Sequence, residues 1–342
     1  MEKKEYRWKL ADLKNIKKNG LKVFSTFSCG GGSSMGYKLA GYDLLGKCEI
    51  DPQMMKIYRK NHNPKYPFLM DIRDFNKMEN LPDELFDLDI FDGSPPCSVF
   101  SIAGDREKAW GKEKAFREGQ AKQSLDDLFF HYLDAVERLR PKIFVAENVK
   151  GMVSGNAKGY VKLVIERAKE IGYDVQLFLL NAATMGVPQR RERVFFIGRR
   201  KDLNLLPFKL SFNEPPIVYK EFRSGHGARL KEISKLYKRW VKRRPSDNNV
   251  GDITKRIEGK ESNFNTILVK NSLVPPTLAS GSVFVRYDEP YYISERDIIL
   301  MQSFPLDYDF MDASVQYVCG MSVPPVMMKK ISEQIYKQWF EK

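Results

Sequence analysis

The chain has 342 residues, 42 % of them hydrophobic, enough for one large core and a smaller second one. Lysine and arginine number 57 against 44 acids, a net charge of +13, which favours polyanionic partners such as nucleic acid over acidic proteins or neutral surfaces. No run of about 18 apolar residues occurs, and the first twenty residues are too charged for a signal peptide, so a soluble, cytoplasmic protein with no membrane attachment is expected.

Short β-rich runs alternate with helical patterns through the first 200 residues. The predicted strands are Val23 to Phe27, Leu44 to Glu49, Leu85 to Phe91, Ile143 to Glu147, Val175 to Leu180 and Val194 to Ile197. Helical periodicity appears around Ser34 to Ala40, Gln53 to Asn61, Leu125 to Arg140 and Tyr160 to Ile171. This is the rhythm of an α/β domain with a mainly parallel sheet, whose ligands sit at the C-terminal ends of the strands. After Arg200 the alternation stops and the sequence turns polar, basic and proline-containing, so a second domain is predicted over residues 201–317, with its hinge. The first domain is predicted over residues 1–200 and completed by residues 318–342. Within the second, Arg223 to Arg244 carries eight further cations, among them Arg239, Lys242, Arg243 and Arg244, against the single acid Glu232. A solvated helix and a DNA-backbone contact both fit that charge.

The first strand runs into Phe27-Ser28-Cys29-Gly30-Gly31-Gly32, where glycines let backbone approach a ligand closely. Some 20 residues on, the second strand ends in Glu49-Ile50, a carboxylate placed to accept hydrogen bonds from ribose hydroxyls. The pair points to a nucleoside cofactor without choosing between a nicotinamide dinucleotide and S-adenosylmethionine. Asp71-Ile72, after a third strand region, sets another acid at the same edge, as an adenine contact or a helix cap.

Four cysteines, Cys29, Cys48, Cys97 and Cys319, are scattered with no metal-ligand spacing, so neither disulfides nor a metal are expected. Cys97 stands apart because Ser94-Pro95-Pro96-Cys97 puts it on a stiff turn after the fourth strand. Glu147-Asn148-Val149 ends the next strand, and Gln189-Arg190-Arg191-Glu192-Arg193 enters another with Arg191 and Arg193 on one face. A thiol, a carboxyl and two guanidinium groups suit methylation of cytosine C5, a carbon too electron-poor to react until a thiolate adds to C6. Cys97 would be that nucleophile, and Glu147 would hold N3 and the exocyclic amine. Because the reacting carbon is inaccessible in a stacked duplex, the base would have to be flipped out.

In these residues the chain resembles the DNA cytosine C5-methyltransferase family, of the bacterial or phage restriction-modification type, over most of its length. The resemblance implies a Rossmann-like fold of seven mainly parallel strands with helices on both faces, plus a smaller target-recognition domain. It also implies S-adenosylmethionine as cofactor and methylation of double-stranded DNA at a specific sequence. Cys97, Glu147, Arg191 and Arg193 take the catalytic positions. Phe27 to Gly32, Glu49, Ile50, Asp71, Ile72, Ser94, Pro96, Ser322 and Val323 take the cofactor positions. Ser98, Ser101, Arg106, Lys108, Gln189, Arg239, Lys242, Arg243 and Arg244 are carried over as DNA contacts, the first four within a segment, Ser98 to Ser124, that resembles the family's mobile loop. Glu295-Arg296-Asp297 and Gln302 to Pro305 resemble the segment that organises the recognition domain. The implied setting is a nucleoid-associated monomer with double-stranded DNA as partner and a restriction endonuclease acting on the same site. Three positions depart from the pattern: Cys29 replaces a loop glycine, Ser98 a glutamine and Met321 an asparagine. They keep alive a catalytically inactive DNA-binding regulator, beside a tRNA cytosine methyltransferase of the same family. A nicotinamide-dependent dehydrogenase would leave the Pro-Pro-Cys and Glu-Asn-Val motifs unexplained.

Overall fold

The computed structural model describes residues 4–96, 127–154, 158–260 and 266–341. Along the first half, strands β1 (Lys22–Thr26), β2 (Asp43–Glu49), β3 (Tyr66–Leu69), β4 (Ile90–Gly93), β5 (Ile143–Val149), β6 (Tyr173–Asn181) and β7 (Glu192–Arg200) alternate with helices. The helices are α1 (Gly32–Leu39), α2 (Pro52–His62), α3 (Ile72–Phe75), α4 (Leu128–Leu139) and α5 (Lys158–Glu170). The strands form one seven-stranded sheet in the order β3-β2-β1-β4-β5-β7-β6, parallel except that β7 runs against both neighbours. Ten residues join β6 to β7, short of the dozen or more a parallel crossover needs, so the pair closes as an antiparallel hairpin.

Local chemistry sets these elements. Asp51 caps α2 by accepting from the Gln53 and Met54 amides, Pro52 opens the helix and Asn63 ends it in a left-handed turn. In α4, Leu128, Phe129, Tyr132, Leu133, Val136 and Leu139 recur every three or four residues, and all are buried. The strand predicted over Leu85 to Phe91 is the exception. After Pro82, residues Asp83–Phe86 form a 3-10 turn that buries Leu85, and only Ile90–Gly93 pairs in the sheet. A short apolar run does not separate these states by its period.

A second, four-stranded sheet has the order β8-β11-β10-β9, from β8 (His226–Arg229), β9 (Thr266–Val269), β10 (Val283–Arg286) and β11 (Tyr291–Ile293). Helices α6 (Lys235–Trp240) and α7 (Val250–Glu258) contribute Trp240, Val250 and Ile253 to a core with Leu230, Leu268 and Val285. The compositional change after Arg200 does not coincide with the start of this sheet. Residues 205–212 pack on the first sheet, where Phe208 exchanges backbone hydrogen bonds with the Gln176 amide (2.7 and 3.0 Å) and stacks on Trp339. A run of alternating apolar residues covers a sheet edge as readily as it forms a new core.

The chain then returns through α8 (Glu295–Met301), α9 (Val315–Met321) and α10 (Pro325–Ile335). Asp297, fully buried, accepts from Tyr219 Oη (2.7 Å), the Ser224 amide (2.7 Å) and Ser224 Oγ, and pairs with the buried Arg286 of β10. Helix α8 is thereby fastened to the second sheet. Helix α10 lies on α1 so closely that a Cβ at Gly36 would fall 2.7 Å from the Pro325 carbonyl and 2.8 Å from the Lys329 amide. Backbone does not yield cheaply, so Gly36→Ala is expected to lower stability by about 1–3 kcal/mol, measured by denaturant unfolding.

Candidate active site

The loop after β1 is held in an unusual backbone path. Phe27, Cys29 and Gly31 have φ of 51°, 46° and 83°, left-handed values that suit glycine and strain the other two. The position expected to be a glycine thus does demand positive φ, and cysteine occupies it. Packing also explains the glycines that remain. A side chain at Gly30 would run into Val318, and one at Gly32 into the Val323 carbonyl, so Ser322 and Val323 meet the loop directly. Burial and the neighbouring Glu49 push the Cys29 thiol up to about 12, so it is not a nucleophile near neutral pH.

At the C-terminal ends of β1, β2 and β3, a narrow cleft is lined by Thr26, Phe27, Cys48, Glu49, Ile50, Met70, Asp71 and Ile72. Five of these are legible in the sequence. Thr26, Cys48 and Met70 are not, although each directly precedes one of the five. Apolar walls with a carboxylate at either side suit the flat base and hydroxyls of a nucleoside, and Ser28 Oγ lies buried nearby in the loop without a partner among the described residues. The residues therefore fit the adenosyl part of S-adenosylmethionine. Asp71 also caps α3, accepting from the Arg73 amide at 2.8 Å, so the helix-cap reading of that residue holds.

On the other side of β1, β4 ends at Gly93 and leads into Ser94-Pro95-Pro96, which immediately precedes Cys97. Cys97, Ser98, Ser101, Arg106 and Lys108 lie outside the described residues. The turn before them is anchored by Asn148, whose Nδ2 donates to the Pro95 carbonyl at 3.0 Å. Beside Asn148, Glu147 Oε1 pairs with Arg193 Nε at 2.9 Å, both side chains nearly buried. Asn148 is a turn anchor that sequence reasoning misses, visible there only as the middle of the Glu-Asn-Val motif; its partner is set by the β4–β5 register.

Arg191 is buried, and its two terminal nitrogens donate to the carbonyls of Leu278 (2.7 Å) and Gly320 (3.1 Å). Burial and the like charge of Arg193 hold its basicity well below the usual arginine range, with Glu147 opposing. It therefore acts mainly as a brace, placing Leu278 and the end of α9 beside the site. Gln189, expected on DNA, is instead fully buried. Its amide donates to the Met301 carbonyl and Gln302 Oε1 and accepts from the Leu278 amide, which leaves nothing for a base. The exposed residue of this motif is Arg190, whose backbone bridges Pro275 and Pro276.

Arg190, Asn248, Asn249, Lys270, Pro275 and Pro276 line a groove alongside β9. In the basic segment, Arg239 is spent on Thr254 and Glu258, and Arg243 stacks on Trp240 while bonding the carbonyls of Tyr287 and Trp240. Lys242 and Arg244 remain exposed, as do Lys235 and Lys238.

Under the catalytic turn, Asp92 is buried among Ser33 Oγ (2.7 Å), Ser25 Oγ (3.1 Å) and Tyr37 Oη (3.3 Å). Burial pushes its carboxyl up from 3.8 to about 7, against the pull of those three hydroxyls. Between these values the folded chain holds a proton that the unfolded chain has released. The associated stability is present in acid and lost as pH rises through about 7. Asp92→Asn is accordingly expected to melt higher than the parent near about pH 8, with the gap closing toward about pH 4, in thermal melts across that range.

The strand order with its single antiparallel strand, the glycine loop after β1 and the acid after β2 define a Rossmann-like methyltransferase fold. The chain belongs to the C-5 cytosine-specific DNA methylase family, which matches residues 21–337. It is 38 % identical over 201 residues to the type II methyltransferase M.FnuDI of Fusobacterium nucleatum, covering 59 % of this chain and 52 % of that protein. To M1.HphI of Haemophilus parahaemolyticus it is 27 % identical over 343 residues, covering 93 % and 87 %. The chain thus spans about half the length of the first of these relatives and most of the second. Among solved structures, a substituted form of Spodoptera frugiperda DNMT2 superposes with a TM-score of 0.64 at 16 % identity, over 93 % of this chain and all of that one, a likeness of fold.

Proposed function

We propose that this chain methylates C5 of cytosine within a specific sequence of double-stranded DNA, using S-adenosylmethionine and a covalent bond from Cys97 to C6. The observation that carries the reading is the joint anchoring of the two strand ends. Asn148 ties the Pro95-Pro96 turn to β5, and the neighbouring Glu147 carboxyl is held by Arg193, so the turn that Cys97 follows in sequence is fixed beside that acid. S-adenosylmethionine in the cleft at Glu49 supplies an electrophilic methyl group. The protein's own part is to make C5 a nucleophile. The Cys97 thiolate adds to C6, and Glu147 bonds N3 and the exocyclic amine, offsetting the charge that develops on the ring. Once C5 carries the methyl group, loss of its proton to a base and departure of the Cys97 sulfur as thiolate restore aromaticity. The target base enters by flipping, at roughly a few kcal/mol, offset by backbone contacts from the basic surface.

The second sheet with α6 and α7 is proposed as the target-recognition unit, and the groove at Arg190 as the passage of the DNA strand between it and the catalytic sheet. The type II relatives favour a chain paired with a restriction endonuclease of the same specificity. Duplex DNA carrying 5-fluorocytosine at the target should trap a denaturation-resistant adduct in the parent and none in Cys97→Ala. Full methyl transfer by Cys97→Ala would refute the nucleophile, and labelling of tRNA in preference to DNA would refute the substrate. Neutralising Lys235, Lys238, Lys242 and Arg244 together should weaken DNA binding and flatten its salt dependence, by roughly 0.9 in log–log slope for each phosphate that is no longer neutralised, read by fluorescence anisotropy. Neutralising Arg239 or Arg243 should instead lower the melting temperature, because those side chains hold the unit together.

A further inference from the structure

We infer that Lys47 is a positioning residue for the cofactor cleft, holding the non-glycine residue Cys29 in its left-handed turn and fixing Glu49 at the cleft wall. The inference rests on the reading of that cleft as the S-adenosylmethionine site. A lysine with no exposed side chain in an interior strand is rare unless its charge is matched. Here it is: Nζ donates to the Cys29 carbonyl at 2.6 Å and to Glu49 Oε2 at 3.2 Å, and sits 4.3 Å from the centre of the Tyr58 ring. Those partners use the three donors an amine of this kind carries.

The geometry gives Lys47 two jobs. Residues 47 and 49 lie on one face of β2, so a single side chain reaches both the loop above the sheet and the acid at the strand's end. Cys29 has φ of 46°, which a side-chain-bearing residue holds only when its surroundings insist. Returning it to an ordinary backbone would swing its carbonyl away from Nζ and cost the two buried atoms that short hydrogen bond. The next carbonyl, of Gly30, is held in the same way by Tyr308 Oη at 2.5 Å. Glu49, for its part, is steered by Lys47 on one oxygen and by the Asp51 amide at 3.3 Å on the other, which sets the plane it presents to the cleft. Lys47 and Cys29 therefore act as a matched pair: the cysteine makes the loop strained, and the lysine makes the strain tolerable.

A double-mutant cycle on the full chain tests this, with S-adenosylhomocysteine binding by isothermal titration as one readout and thermal melting as the other. Lys47→Met should weaken binding on the order of tenfold, and the cycle compares that loss in the parent and in the Cys29→Gly background. Because glycine adopts the left-handed turn unaided, the double variant Cys29→Gly/Lys47→Met should recover much of the affinity that Lys47→Met gives up. Failure of Lys47→Met to fold, with the double variant folding and binding, would be the same rescue and equally support the pair. An equal loss of affinity in both backgrounds, an unchanged affinity in Lys47→Met, or failure of both methionine variants to fold would overturn the inference, leaving Lys47 a packing residue. Absence of binding by the parent chain would overturn the cofactor reading itself and this inference with it.

Discussion

Two arginines, two residues apart, enter the interior at the start of β7, and the arrangement of the site depends on where their charges go. A buried guanidinium is costly unless its hydrogens find acceptors. Arg193 finds the carboxyl of Glu147, and Arg191 finds the carbonyls of Leu278 and Gly320. The first pairing fixes the Glu147 carboxyl at the end of β5. The second draws together two stretches that are remote in sequence, one leading out of the second sheet and one closing the first. Gln189 adds a third tie, to Met301, Gln302 and the Leu278 amide, and Gln302 passes it on to the Ser322 carbonyl at 2.6 Å. This polar seam joins the chain's last helices to the strand that carries Arg193, and it lets Ser322 and Val323 press on the glycine loop.

The same economy governs the cofactor side. Left-handed turns at Phe27 and Cys29 are costly for residues with side chains, and the loop keeps them because its carbonyls are taken by Lys47 and Tyr308. The two halves of the site thus share a device: a buried polar side chain from a neighbouring element holds a backbone carbonyl of a functional turn. Asn148 does this for Pro95, Lys47 for Cys29 and Tyr308 for Gly30. Turns held in this way keep their shape before a ligand arrives, which lowers the ordering cost of binding and of presenting a nucleophile.

Charge on the second unit divides by partner rather than by position in sequence. Arg239, Arg243 and Arg256 turn inward, Arg256 onto Asp247 at 2.7 Å, and serve the small core. Lys235, Lys238 and Lys242, at three- and four-residue spacing, stay outside with Arg244. Arginine's fork suits fixed acceptors, and lysine's flexible stem suits a mobile phosphate backbone.

The sequence by itself determined the β–α alternation of the first sheet, the cofactor loop with Glu49 and Asp71, and the order Pro-Pro-Cys, Glu-Asn-Val and Gln-Arg-Arg-Glu-Arg, because period, turn chemistry and motif spacing are local properties. Only the tertiary structure decided which polar residues of those motifs turn into the protein and what they bond there. Gln189, expected on DNA, ties the approach to β7 to the end of α8 and to Leu278, whereas Asn148, with no role expected, holds a single turn. Lys47 gave no signal at all, since a lysine in a strand reads as a solvated side chain until the sheet on both sides and α2 above it are in place. Partners such as Cys29, Leu278 and Gly320 are far from their donors along the chain, and burial, which makes those hydrogen bonds obligatory, exists only once the layers have packed.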